Sequence, residues 1–137
     1  MGLIDGNKLG VSLSTSNDSR FPGLNILDSD VKTFWLTTGM FPQEIIVTFN
    51  KSYIITKAEI TCGGIRSVTF EKSVDTQAIN FTAIVDATID DTKDENLQKE
   101  SYQLQDEECT FMKIKINSAW EDFAAIHSVK FYGDIKT

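Results

Sequence analysis

One segment of this chain, Asn25-Ile26-Leu27-Asp28-Ser29-Asp30-Val31-Lys32-Thr33, sets oxygen donors at short spacing. A loop that folds back within it aims the Asp28 carboxylate, the Thr33 hydroxyl and several backbone carbonyls at one point. Ca²⁺ takes six to eight such oxygens at about 2.4 Å. The same spacing also builds a capped turn, in which Asx side chains bond the loop's own amides. Spacing alone leaves both readings open.

Other chemistries find less to work with. The single histidine, His127, lies inside the last strand-like run. There is no GxSxG elbow, and neither Cys62 nor Cys109 has a histidine nearby in sequence, so no nucleophile–base pair is offered. Two distant cysteines and one histidine do not assemble a zinc cage, and both cysteines read as small buried hydrophobes. Gly63-Gly64 and Gly2…Gly6 match neither a phosphate-binding loop nor a dinucleotide fingerprint. Asp86, Asp90, Asp91, Asp94 and Glu95 lack the spacing of an EF-hand and read as a solvated connection. No enzyme is expected.

The elements that position the segment alternate with period two. Ile45, Val47 and Phe49 share one face of a run, as do Ala58, Ile60 and Cys62 in the next. Val68 with Phe70, then Phe81 with Ala83 and Val85, then Met112 with Ile114 and Ile116, repeat the pattern, and Val129 with Phe131 close it. Lys113 and Lys115 fall on the face expected to meet water. With residues 11–14 and 99–104 the count reaches about eight strands, and no long stretch keeps a helical period. Short strands without helices between them indicate an antiparallel sandwich or jelly roll. Residues 14–32 and 118–123 read as surface loops, the latter carrying Trp120 and Phe123.

Composition bounds the partners. The chain has 137 residues and a net charge of −7, with 41% hydrophobic residues. That length fits one domain over residues 1–137. The acidic balance argues against phosphate backbones, so no nucleic acid is expected. No apolar run approaches the roughly 20 residues of a membrane span, so no membrane insertion is expected. The start has no basic segment followed by an apolar stretch, which leads to the expectation of a cytosolic chain.

Phe21-Pro22, then Asn25-x-x-Asp28, then Thr33-Phe34-Trp35, is similar to the first ligand loop of the discoidin/galactose-binding-like jelly rolls. The continuation Thr33-Phe34-Trp35-Leu36-Thr37-Thr38-Gly39-Met40-Phe41-Pro42-Gln43-Glu44 resembles the signature of the intraflagellar transport protein 25 (heat shock protein beta-11) family. The likeness runs through Glu71-Lys72-Ser73 to Phe123-Ala124-x-Ile126-His127-Ser128-Val129. It implies a jelly-roll subunit of the intraflagellar transport B complex. Its implied partner is a Rab-like small GTPase, intraflagellar transport protein 27, with other subunits of that complex, in cytoplasm and cilium. It also implies a weak Ca²⁺ site at Asn25 (through its backbone oxygen), Asp28 and Thr33. Ser29 stands where the family usually has Gly, and Ser128 where many relatives place a Glu. The alternative is a calcium-dependent carbohydrate- or lipid-binding module using the loop tips. Trp35 is expected to be buried, pinning the loop to the sandwich.

Overall fold

The computed structural model describes residues 2–28, 30, 32–92 and 97–137. Ser29, Val31, Asp94 and Glu95, named above, lie outside the described residues. Eight strands follow one another: β1 (Gly2–Leu3), β2 (Leu9–Ser14), β3 (Trp35–Leu36), β4 (Gln43–Gly63), β5 (Ile65–Ser73), β6 (Thr82–Thr88), β7 (Gln98–Ala119) and β8 (Ala125–Ile135). Every pairing is antiparallel. The expected jelly roll is present.

Two strands are much longer than the alternating runs suggest. The runs at 43–49 and 53–62 are one strand, β4, and those at 99–104 and 112–116 are one strand, β7. Each turns a corner without losing its ladder. The first half of β4 pairs with the second half of β7 and with β2; its second half pairs with the first half of β7 and with β8. Register breaks between Thr48 and Tyr53, and Asp106 sits at φ 51°, so the bend is taken up locally. One layer is therefore β6-β5-β7-β4-β2, and the other is β7-β4-β8 with β1 and β3 on β8.

The core lies between the layers. Ile45, Val47, Phe70 and Ile114 meet Ile55, Ile60, Ile126 and Phe131, all buried. A register shift after Ile55 lets both Ile55 and Ala58 face inward, which simple alternation forbids. A similar bulge opposite Phe70 and Glu71 interrupts β6, so Ala83 is exposed while Val85 packs on the core. That corrects the expectation that Phe81, Ala83 and Val85 share a buried face. Lys113 does not simply meet water either. Its ammonium lies 4.4 Å from the Phe81 ring centre and within 3.9 Å of Glu44 and Glu71. Asp86 is a strand residue of β6, where it accepts a hydrogen bond from the Thr69 hydroxyl.

Trp35 is fully buried, and its indole N–H donates to the Ser16 carbonyl at 2.9 Å. Trp35→Ala removes both a large core ring and that tie. The expected loss is about 3–5 kcal/mol, read from urea unfolding. A midpoint equal to wild type would show that the ring contributes little to the folded state.

Candidate functional site

The loop ahead of Trp35 is held from inside and outside. Pro22 precedes a single 3₁₀ segment, Gly23–Leu27, whose Ile26 is fully buried. Outside, Phe21 stacks on Phe34 at 4.6 Å and Phe34 lies 4.9 Å from the His127 ring on β8. Arg20 caps this column 5.3 Å from the Phe21 ring while pairing with Asp18 at 2.8 Å. His127 thus sits in a strand, as expected, against an aromatic face.

Within the loop, the three expected ligands make turn contacts. The Asn25 carbonyl accepts from Asp28 N–H at 3.1 Å, and the Asn25 side-chain amide donates to the Phe34 carbonyl at 3.0 Å. Asp28 Oδ1 accepts from Asp30 N–H at 3.0 Å. The Thr33 hydroxyl donates to the Asp30 carbonyl, also at 3.0 Å. The donor set is all oxygen, which suits a hard cation, yet it holds one full charge. No group of three or more His, Cys, Asp or Glu side chains gathers as a metal cluster among the described residues. Asp28 and Ser128 line the same small cavity, with Leu27 and Val129.

Behind the loop is a polar hub that strand periodicity gave no reason to expect. The Ser16 hydroxyl donates to Gln43 Oε1 at 2.7 Å and accepts from Thr38 N–H at 3.1 Å, while the Ser16 carbonyl takes the Trp35 indole. The Thr15 hydroxyl also donates to Gln43 Oε1, and Gln43 Nε2 donates to the Thr38 hydroxyl and the Met40 carbonyl. Every donor and acceptor of one buried amide is used. Gln98 does the same nearby, accepting from Ile65 N–H and donating to the carbonyls of Ile65 and Asp90. Burial pushes the thiols of Cys62 and Cys109 up to about 12, which makes both inert, as small buried hydrophobes should be.

The hub ends in an apolar cap. Met40 is 81% exposed, Phe123 54% and Trp120 40%. Their two loops touch: a Cβ at Gly39 would stand 2.2 Å from the Asp122 carbonyl, so only glycine permits the approach. Thr37 and Ala124 exchange hydrogen bonds at 3.1 Å beside it. Trp120 donates its indole N–H to the Ile89 carbonyl, and the Arg66 guanidinium lies 5.1 Å over its ring. Phe41, by contrast, is half-buried against the core.

These features define a galactose-binding-like jelly roll, and solved structures agree. The chain superposes on a putative chitobiase fragment from Bacteroides thetaiotaomicron with a TM-score of 0.86 and 12% identity, over 100% of this chain and 95% of that one. CBM32-3 of a family 31 glycoside hydrolase from Clostridium perfringens gives 0.81 and 17%, over 96% and 95%. The family 32 module of NanJ from the same organism, solved with galactose, gives 0.80 and 19%, over 95% and 97%. No protein-family profile matches the chain. Sequence relatives are more specific. The intraflagellar transport protein 25 homolog of Mus musculus is 37% identical over 123 residues, 90% of this chain and 85% of that one. The Homo sapiens homolog is 35% identical over 125 residues, 91% and 86%. The chain belongs to the intraflagellar transport protein 25 family.

Gln43→Leu strands the hydroxyls of Thr15 and Ser16 and the carbonyl of Met40. Chemical denaturation is expected to show a loss of about 1–3 kcal/mol for such orphaned groups. Wild-type stability would mean that the loops re-pair without the amide.

Proposed function

We propose that this chain is a non-catalytic subunit of the intraflagellar transport B complex, paired with a Rab-like small GTPase, intraflagellar transport protein 27, in cytoplasm and cilium. Family membership supports the role in intraflagellar transport. The observation that carries the pairing is the cap. Three large apolar side chains, Met40, Trp120 and Phe123, stand exposed on two loops fastened to each other. Large apolar side chains exposed on adjoining loops are the material of an interaction site, and a permanent pair needs a larger, more apolar interface than a transient encounter. Purified chain and GTPase are expected to co-elute at micromolar concentration, and Met40→Asp with Phe123→Asp to elute separately while staying folded. Separate elution of the wild-type proteins would remove the heterodimer; co-elution of the double variant would move its interface elsewhere.

A glycan-binding reading has support in the fold, since a neighbour was solved with galactose. The cap fits it poorly. Arg66 already covers one face of Trp120, and the indole N–H is spent on Ile89. Among the described residues no basic cluster surrounds the tips.

The loop adds a second proposed property, weak Ca²⁺ binding at Asn25, Asp28 and Thr33. Asp28 through its carboxylate, Thr33 through its hydroxyl and Asn25 through its carbonyl would hold the ion, which would supply a dense double positive charge there. Low ligand charge places affinity at roughly tens of micromolar to millimolar. Calorimetric titration is expected to give saturable heat for wild type and none for Asp28→Ala. Equal heats from both, or none from wild type at millimolar Ca²⁺, would leave the loop purely structural.

A further inference from the structure

The strand edges of the two layers are not treated alike. β6 is broken by its bulge, and β2 by a register shift between Val11 and Leu13. β1 and β3 have two residues each, and they cover β8 together with the 3₁₀ segment Gly23–Leu27. Bulges, short strands and covers close an edge to other chains. The first half of β7 has none of these. Residues 98–103 pair in unbroken register with β4, from Cys62 opposite Gln98 to Lys57 opposite Gln103. On the other side of β7, β5 pairs only with residues 111–119. Among the described residues, no strand and no loop backbone bonds residues 99–103 on that vacant side. In an antiparallel ladder every second residue turns both N–H and C=O away from its partner. A straight edge about 20 Å long therefore offers its donors and acceptors outward.

The side chains along it define what can lie there. Glu100 and Tyr102 stand opposite the buried Ile60 and Ala58, so with Leu104 they form the row turned toward the other layer. All three are half-buried, and the Tyr102 ring lies 5.8 Å from that of Phe70. Lys99, Ser101 and Gln103 form the exposed row on the opposite face. Glu100 makes no ion pair among the described residues. Lys99 points to the other face of the sheet, Lys57 lies 3.3 Å from Glu59, and Lys130 stands opposite Glu59. Exposed Asp90 and Asp106 add negative charge near the two ends of the edge. The complement at Glu100 is therefore a cation, and at Tyr102 and Leu104 an apolar side chain. A second copy of the chain fits badly, since each copy carries −7 and charged residues such as Lys99 and Glu100 deter edge-to-edge self-association.

We propose that residues 98–103 of β7 are a docking edge for an extended segment of another protein, which adds to the second layer as a further strand. Its inward side chains are apolar against Tyr102 and Leu104 and basic against Glu100. In strand addition the main-chain hydrogen bonds supply affinity, and the alternate side chains supply specificity. Met40, Trp120 and Phe123 take no part, so the edge and the GTPase pairing stand or fall separately.

The probe is the capped peptide acetyl-TVTVTKET-amide, whose antiparallel register sets its valines beside Leu104 and Tyr102 and its lysine beside Glu100. Amide NMR titration of the full chain is expected to give saturable shifts centred on residues 98–104. Hydrogen exchange is expected to slow at alternate amides of residues 99–103 when the peptide is bound. Glu100→Lys is expected to weaken the peptide by about fivefold or more, because like charges then face each other across the strands. Replacing the peptide's lysine by glutamate is expected to restore binding to that variant, which also shows it folded. No saturable shift at millimolar peptide, shifts centred elsewhere, or equal binding by the Glu100→Lys variant would overturn the edge. A dimer of the chain alone that protects the same amides as its concentration rises would overturn the choice of another protein as occupant.

Discussion

A strand sandwich can close its apolar middle by alternation, but its ends are made of loops whose backbone groups must also find partners. Here that demand falls on two glutamine side chains. Gln43 gathers Thr15, Ser16, Thr38 and Met40, and Gln98 gathers Ile65 and Asp90. Through Ser16 the first amide also reaches Trp35. The oxygen-rich loop, the start of β4 and one side of the cap are therefore fixed relative to one another by a single buried group. A primary amide suits this place because it offers two donors and two acceptors without charge. A carboxylate there would carry the far greater cost of a buried ion.

Around that constraint the fold is economical. By bending, β4 and β7 serve both layers, so the core needs no separate connection between them. The bends cost local register and are marked by shifts and by Asp106 at positive φ. In exchange the loop-bearing end is built on continuous hydrogen-bonded strands.

Much of this was legible. Period-two runs located the core faces of β4, β5, β7 and β8, and the aromatic at 35 was recognisable as an anchor. The long strands were not, because a bend that keeps its hydrogen bonds leaves the same trace as a turn: polar residues such as Asn50-Lys51-Ser52 between two apolar runs. The bulges in β4 and β6 were hidden for the same reason. Gln43 and Gln98 escaped notice because a polar residue beside a strand reads as solvent-facing until its partners are known. Of the site, Asn25, Asp28 and Thr33 could be named from spacing, but not the turn contacts each one makes. Met40, Trp120 and Phe123 were visible as loop side chains; that Gly39 brings their loops together required the fold.

The bulge in β6 has a bearing on how the chain behaves in a crowd. β6 ends the strand order of its layer, and its residues Ala83, Ile84, Val85 and Ala87 are apolar, with Asp86 the one charge between Thr82 and Thr88. A flat edge of that composition is a template on which another chain can add as a strand and start an aggregate. The extra residue opposite Phe70 and Glu71 twists the edge and breaks its hydrogen-bonding repeat. Pairing along this edge is thereby opposed by geometry, where many sheets rely on lysines at the rim.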